Sequence, residues 1–497
     1  MTALLLALLV PAQAGDWPWW GRDASRNMVT KDAAPRTFVP GDFVPGTETV
    51  DMATTRGVRW VAKLGSQTYG NPTIGRGVVL VGTNNAAERR HDLTGDYSVL
   101  LAFDEDDGDL RWQLTVPKLG SGKVNDWEFL GICSAAQIVG DEAYVVTTRG
   151  EVVGLDLDGH ADGNDGFDGE AAYMQGPGAP VPSLDPAIDA DLLWVYDVPA
   201  ELGVFPHNAS SNSILVLGDR LFLGTSNGVD WTHTDIPAPF SPAMVAVDRV
   251  KGTLLAEEAS GISEHTLHSN WSSPTWVPAG KDTSAMVLFG GGDGFLHAFA
   301  PEPVDDGGLQ VFRELWRVDG NLPEYRAVDG APVKYATPAG PSEFIATPVY
   351  AEGLIFAAIG QDPEHGPGKG LLTAVRPDGS VAWRYPDLHR SISTVAVHKG
   401  IVYASDYDGN LHAIAAKDGT QLWVHETGAH IWGSPLVAGR YVYLGDEDGI
   451  LHVLRTGRKL KVESQISLPA PIYSSPVVAN GVLYVATQTH LYAVDGK

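Results

Sequence analysis

The sequence predicts an all-β protein, an eight-bladed β-propeller of four-stranded antiparallel blades whose ring is closed by an N-terminal strand. Three observations predict it. The first is an internal repeat: residues 393–423 read STVAVHKGIVYASDYDGNLHAIAAKDGTQLW, residues 434–454 SPLVAGRYVYLGDEDGILHVL and residues 475–494 SPVVANGVLYVATQTHLYAV. Asp408-Gly409 recurs at Asp448-Gly449 and Trp383 at Trp423, each 40 residues on, which is the length of one propeller blade. The second is the pattern inside each copy. A Ser/Thr-Pro opens a short apolar strand, a Gly turn leads to a strand of alternating Val, Tyr and Leu, and Asp-Gly turns precede the third and fourth strands. The third is spacing: the strands are short and close together, leaving little room for helices.

Tracing the opening strand along the chain gives eight copies. They begin near Asn71-Pro72, Ser134-Ala135, Ser213-Ile214, Ser273-Pro274, Thr347-Pro348, Ser393-Thr394, Ser434-Pro435 and Ser475-Pro476. The last copy stops at Val494-Asp495-Gly496-Lys497 without a Trp-ended fourth strand. Gly57-Val58-Arg59-Trp60 supplies it, which closes the ring and removes the exposed sheet edge. The propeller therefore occupies residues 57–497, and residues 15–56 form an extension packing on it. Residues 1–14 read as a signal peptide: an apolar run from Ala3 to Val10 is followed by Ala12-Gln13-Ala14, a small-x-small cleavage site. No cysteine follows that site, so a periplasmic or secreted protein without a lipid anchor is expected.

Composition narrows the function. The chain carries 61 acidic and 34 basic side chains, a net charge of −27. That balance argues against nucleic acid and anionic lipid as partners, because both require clustered Lys and Arg. No segment approaches the ~20 apolar residues of a membrane helix. Cys133 is the one cysteine, so neither an internal disulfide nor a Cys-based zinc site can form. It is expected to pack as a small apolar group at the start of a strand.

The repeat with Gly-x-hydrophobic-Trp at its end resembles the pyrroloquinoline quinone (PQQ)-like β-propeller superfamily. Its members include quinoprotein alcohol dehydrogenases and the propeller lipoprotein of the outer-membrane β-barrel assembly machinery. Asp16-Trp17-Pro18-Trp19-Trp20-Gly21-Arg22-Asp23 is similar to the N-terminal segment of the quinoprotein dehydrogenases. Three stretches resemble exported PQQ-like proteins of planctomycete-type bacteria: Asn227-Gly228-Val229-Asp230, His268-Ser269-Asn270-Trp271-Ser272-Ser273-Pro274 and Gly360-Gln361-Asp362-Pro363-Glu364-His365-Gly366. The resemblance covers about residues 16–497. Quinoprotein dehydrogenases stack their quinone on a disulfide of adjacent cysteines and hold Ca²⁺ with Glu, Asn and Asp. With Cys133 alone that disulfide is impossible, and PQQ is not expected as a cofactor.

Insertions indicate where function sits. Eight blades average about 55 residues over 57–497, against ~40 for a minimal blade, and the excess falls in the first five. Segments 84–98, 225–243 and 361–370 join second to third strands, and segments 113–133, 199–212, 257–272 and 318–346 join successive blades. Both kinds open on one face, whereas the turns Gly75-Arg76-Gly77, Gly439-Arg440 and Asn480-Gly481 on the other are tight. Loops over a rigid scaffold commonly carry function. These hold His91, Trp127, Glu128, His207, Asn208, Asp230, His233, Asp235, His265, His268, Trp271, Gln361, Asp362, Glu364 and His365, a set suited to a polar pocket or a divalent metal. By contrast His297, His412 and His452 recur in third strands, and Trp60, Trp112, Trp194, Trp316, Trp383 and Trp423 at blade ends, so both sets read as architecture. The acidic run from Asp156 to Glu170 offers Asp156, Asp158, Asp162, Asp165 and Asp168 as oxygen ligands for Ca²⁺, although its spacing does not complete an EF-hand loop.

The expected function is a non-enzymatic binding or scaffold module acting through the decorated face. Its partner is a protein, glycan or small molecule, and the chain itself is expected to be a monomer. The alternative is a PQQ/Ca²⁺-dependent quinoprotein dehydrogenase. A third reading, a hydrolase-like metal site using His207, His233, Asp235 or His365, has no nucleophile signature behind it.

Overall fold

The computed structural model describes residues 15–121, 125–281, 283–333, 336–363 and 366–497. The expected signal peptide at 1–14 lies outside the described residues, as do Glu364 and His365. Eight four-stranded antiparallel sheets follow one another around an axis. Blade 1 is built from Thr73–Gly75, Val78–Asn84, Tyr97–Asp104 and Leu110–Pro117. The innermost strands of the other blades are Gln137–Val139, Leu215–Leu217, Thr275–Val277, Val349–Ala351, Ala396–His398, Leu436–Ala438 and Val477–Ala479. Blade 8 takes its outer strand from Val58–Lys63, which pairs antiparallel with His490–Val494 and sets Trp60 opposite Ala493. The longest helix among the described residues is Val198–Leu202, and no described helix is long and apolar enough to cross a membrane.

Two repeated side chains tie neighbouring blades together, each at most of the junctions around the ring. The blade-end tryptophans donate their indole N–H to a carbonyl of the following blade: Trp60 to Glu105, Trp112 to Leu157, Trp194 to Arg249, Trp316 to Pro377, Trp383 to Ala416 and Trp423 to Gly457, at 2.8–3.0 Å. Each of the first five indoles also lies on a turn glycine of that neighbour. At Gly419, φ is +75° and an added Cβ would stand 2.7 Å from Trp383 Cε3, so the Asp-Gly turn is required both for its backbone and for the ring above it. Near the axis, the Ser/Thr positions accept from the preceding blade's backbone: Ser213 from Ala135, Ser273 from Ser213, Thr394 from Thr347, Ser434 from Thr394 and Ser475 from Ser434. Asn71 accepts from Ser475 and carries the chain of bonds across the ring closure.

Blades 3 and 7 have no such tryptophan. In blade 3 the outer strand Leu254–Glu258 is covered by a hairpin inserted in blade 4, where Leu309–Phe312 runs parallel to it. Phe312 sits on Phe222 with centroids 5.3 Å apart, much as Trp423 covers Tyr403 at 5.9 Å in blade 6. The hairpin thus buries an aromatic edge that would otherwise face water.

Residues 15–30 run through the axial channel and bond to the inner strands of seven blades in turn, blade 3 being reached by the Arg26 side chain. Gly15 bonds Asn480, Trp17 bonds Ile74, Pro18 bonds Ile138, Ala24 bonds Trp276, Ser25 bonds Tyr350 and Met28 bonds Val437. Asn27 receives the Val397 N–H, and Val29–Thr30 lies parallel to Leu436–Ala438. Arg26 reaches blades 3 and 4. Its fully buried guanidinium donates to the carbonyls of Trp20, Ser213, Ile214 and Pro274. Burial, against a smaller opposing pull from Asp23, brings it down to about 9. Unpaired inner-strand N–H and C=O groups, costly if dehydrated alone, are satisfied by this segment.

Candidate functional site

On the decorated face the axis opens into a cavity of about 460 Å³, within the usual range for ligand sites. Two rings of side chains line it. The lower ring is the hydrogen-bonded set Asn71, Ser213, Ser273, Thr347, Thr394, Ser434 and Ser475. The upper ring stands two residues earlier in each blade: Tyr69, Cys133, Ser211, Trp271, Ile345, Ile392, Trp432 and Tyr473. Trp20 forms part of the floor and donates to Thr347 Oγ1 at 3.1 Å. Tyr69 and Tyr473 stack at 5.0 Å with planes 7° apart, and Trp432 leans on both at 5.6 and 5.3 Å. Trp432 and Tyr473 also reach the Glu447 carboxylate, at 3.5 and 3.4 Å.

Cys133 corrects an expectation. It does not pack inside a strand but stands half-buried in the cavity wall, ahead of Gln137–Val139, with its thiol 3.4 Å from the Gly131 carbonyl. The surrounding apolar wall pushes the thiol up to about 12, so it stays protonated and is a poor nucleophile at neutral pH.

Beside the cavity, three of the predicted histidines meet. The backbone segments around His207, Gly228 and Ser269 lie against one another through isolated bridges Pro206↔Asn227 and Gly228↔Ser269. Gly228 permits this approach, since a Cβ there would lie 2.5 Å from the His268 carbonyl oxygen and 2.7 Å from His207 Cβ. The asparagines lock the arrangement: Asn227 accepts from Phe205 N, and Asn270 donates to the Asn227 carbonyl. The turn 230–235 brings in His233. Asp230 holds it by accepting from the Thr232 amide and hydroxyl, and that hydroxyl keeps the Asp230 carboxyl below its ordinary range.

The result is a cluster in which one ligand nitrogen from each of His207, His233 and His268 lies within 4.8 Å of the others. Ring centroids are 4.3 Å apart for His207–His268, 5.0 Å for His207–His233 and 5.2 Å for His233–His268. His207 and His268 are buried and His233 is half-buried. His207 Nδ1 lies 2.6 Å from the Val229 carbonyl, which can only accept, so Nδ1 carries the proton and Nε2 the lone pair. His268 Nδ1 faces Glu343 Oε1 at 3.7 Å. Burial first, and the Asp362 charge with it, hold the Glu343 carboxyl well above the carboxylate range, against the Ser269 amide bond. Asn208 and His233 adopt left-handed backbone, with φ of +61° and +58°. Such φ is uncommon outside glycine and is found where surrounding structure imposes it. Trp271 joins the two features: it lines the cavity, touches His268 at 4.8 Å and donates to the His207 carbonyl.

The remaining predicted residues divide. Asn208 and Asp362 line the axial cavity. Gln361 is buried and spent on the Thr337 and Pro341 carbonyls. Asp235 borders a separate outer cavity of about 730 Å³ with His265 and Arg326. In the acidic run, Asp156, Asp162 and Asp165 gather within 4.8 Å, whereas Asp158 and Asp168 are outside that group; Asp158 donates its amide to Asp156. Sequence reasoning missed Glu343, a lone acid in a long loop. It also missed Tyr69, Trp432 and Tyr473, although their fixed offset from the Ser/Thr repeat was a usable signal.

PQQ carries three carboxylates, and an anionic cofactor needs counter-charge. Among the described residues lining the cavity there is no Lys or Arg and one acid, Asp362. The described lining residues do not fit that group.

Comparison with known proteins agrees on the architecture. A family model described as "Outer membrane protein assembly factor BamB" matches residues 47–171 and 312–497, more than half the chain. BamB of Salmonella typhimurium is 33% identical over 93 residues, which are 19% of this chain and 23% of that protein. The match thus spans about a quarter of the curated relative's length. Among solved structures, BamB from Moraxella catarrhalis superimposes with a TM-score of 0.52 at 15% identity, covering 87% of this chain and 95% of that one. A europium-containing methanol dehydrogenase gives 0.56 at 12%, covering 95% and 89%. At these identities both structures show the fold.

Proposed function

We infer a binding role from the premise that this chain belongs to the outer membrane protein assembly factor BamB family. It is an exported, non-enzymatic β-propeller that holds another protein through its decorated face. The observation that carries this reading is the axial cavity, whose upper ring offers Tyr69, Trp271, Trp432 and Tyr473 above a ring of neutral hydroxyls. Aromatic residues at the centre of a face are the usual anchors of protein recognition. Asp362 and Glu447 border these rings, so the side chain best received is neutral or basic; a Lys or Arg would add cation–π attraction. The similarity of 227–230, 268–274 and 360–366 to exported planctomycete-type propellers supports the same placement.

The test is site-specific photo-crosslinking in the source cell. A photoreactive amino acid at Trp432 is expected to capture a discrete protein partner, while the same group at Arg440 on the plain face captures none. Equal labelling from both positions overturns the reading. So does stoichiometric binding of PQQ with Ca²⁺ accompanied by dye-linked alcohol oxidation.

A further inference from the structure

We propose that His207, His233 and His268 form a binding site for a divalent transition metal of the zinc type. This goes beyond the binding role inferred above and stands independently of it. The donors are three imidazoles from three separate loops, with one nitrogen of each within 4.8 Å of the other two. Tetrahedral Zn²⁺ with Zn–N near 2.0–2.1 Å sets its nitrogens roughly 3.4 Å apart, so closure needs about an ångström or less of side-chain movement. The imidazoles would fill three of the four tetrahedral positions. Their chemistry selects the ion: an all-nitrogen set suits Zn²⁺, Cu²⁺ or Ni²⁺, whereas Ca²⁺ and Mg²⁺ demand oxygen.

The surroundings are those of a built ligand set. His207 Nδ1–H is committed to the Val229 carbonyl, which directs Nε2 as the ligand atom. His268 Nδ1 looks toward Glu343 Oε1 across 3.7 Å, a short closure away from the orienting hydrogen bond that metal-bound imidazoles make through their second nitrogen. Glu343 is in turn fixed by the Ser269 amide. Gly228 and the Asn227–Asn270 pair hold the first two loops together, and the left-handed backbone at His233 aims the third. Two of the three rings are buried on the same scaffold, so little ordering entropy remains to be lost on binding.

The experiment uses the whole chain, stripped with chelator and titrated with Zn²⁺ against a chromophoric competitor, then with Co²⁺ for its visible spectrum. One Zn²⁺ per chain with a dissociation constant below about 1 μM, and a tetrahedral Co²⁺ spectrum, are expected. His233→Gln, at the half-buried position, weakens binding at least about 100-fold, and Glu343→Gln about 10-fold, the usual effect of removing an orienting partner. Asp156→Asn with Asp162→Asn leaves zinc affinity unchanged. The proposal is overturned if the wild-type chain binds no Zn²⁺ in this range, or if His233→Gln binds as wild type. It is equally overturned if the acidic-loop variant loses the ion. Circular dichroism of each variant separates lost ligands from lost fold, and His207→Gln and His268→Gln supply the remaining arms.

Discussion

His297 makes stability fall as pH rises from neutral to alkaline. It sits on the third strand of blade 4, fully buried, with Nε2 3.1 Å from Asp293 Oδ2 and Nδ1 2.6 Å from Glu314 Oε1. Burial alone would lower its pKa, but the two carboxylates outweigh that and raise it from 6.5 to about 9. Glu314 is correspondingly held below its ordinary range by the imidazolium. A raised folded-state value stabilises the protein fully below the unfolded value and loses that contribution as pH climbs through the folded one. The difference of 2.5 between those values, at 1.36 kcal/mol each, is about 3 kcal/mol. For 497 residues the entropy of unfolding is about 1 kcal/mol per degree, so the loss corresponds to roughly 3 °C in Tm. The assay is calorimetry from pH 6 to 10 on wild type and His297→Gln, taking the difference between their curves to cancel other titrations. That difference should shrink by about 3 °C between pH 6.5 and 9.5. A constant difference, or one that grows with pH, refutes the assignment.

Other perturbations test the architecture. Gly419→Ala forces a Cβ into Trp383 at a positive φ and is expected to cost about 2–4 kcal/mol by chemical denaturation. Arg26→Met strands carbonyls of Trp20, Ser213, Ile214 and Pro274 and should cost about 2–4 kcal/mol, net of the relieved burial of charge. Trp60→Ala removes the indole that bridges blades 8 and 1. It should cost about 3–5 kcal/mol and, by loosening the closing strand, promote self-association visible in light scattering.

The fold was legible because a propeller repeats its physics. The Trp, the Asp-Gly turn and the Ser/Thr each recur since each joins one blade to the next, so an interaction repeated around the ring appears as a letter repeated in the sequence, six times for the tryptophan. Third-strand histidines belong to this set. His412 and His452 each hold the aspartate of the preceding turn, Asp406 at 3.0 Å and Asp446 at 2.8 Å, which explains their recurrence without any catalytic role. The candidate site was only partly legible. His207, His233 and His268 stood out as loop histidines, yet nothing in their spacing of 26 and 35 residues announced that they converge. Convergence depends on Gly228 allowing two backbones to touch, a long-range fact. The axial segment shows the same limit: Arg26 resembles any surface arginine in sequence and is fully buried only because eight blades surround it.

The closed axis also decides what the cavity can receive. Residues 15–30 occupy the channel and Trp20 closes the floor, so approach is from the decorated face. On the binding role proposed above, a partner would offer a protruding side chain, and the rings it would meet are aromatic or neutral, with Asp362 and Glu447 at the edge. The net charge of −27 acts in the same direction over a longer range, favouring encounter with basic surfaces until salt screens it beyond about 8 Å. A partner held this way associates faster at low ionic strength, while its dissociation rate follows the aromatic anchors. Removing Trp432 should therefore speed release and leave the salt dependence of association intact.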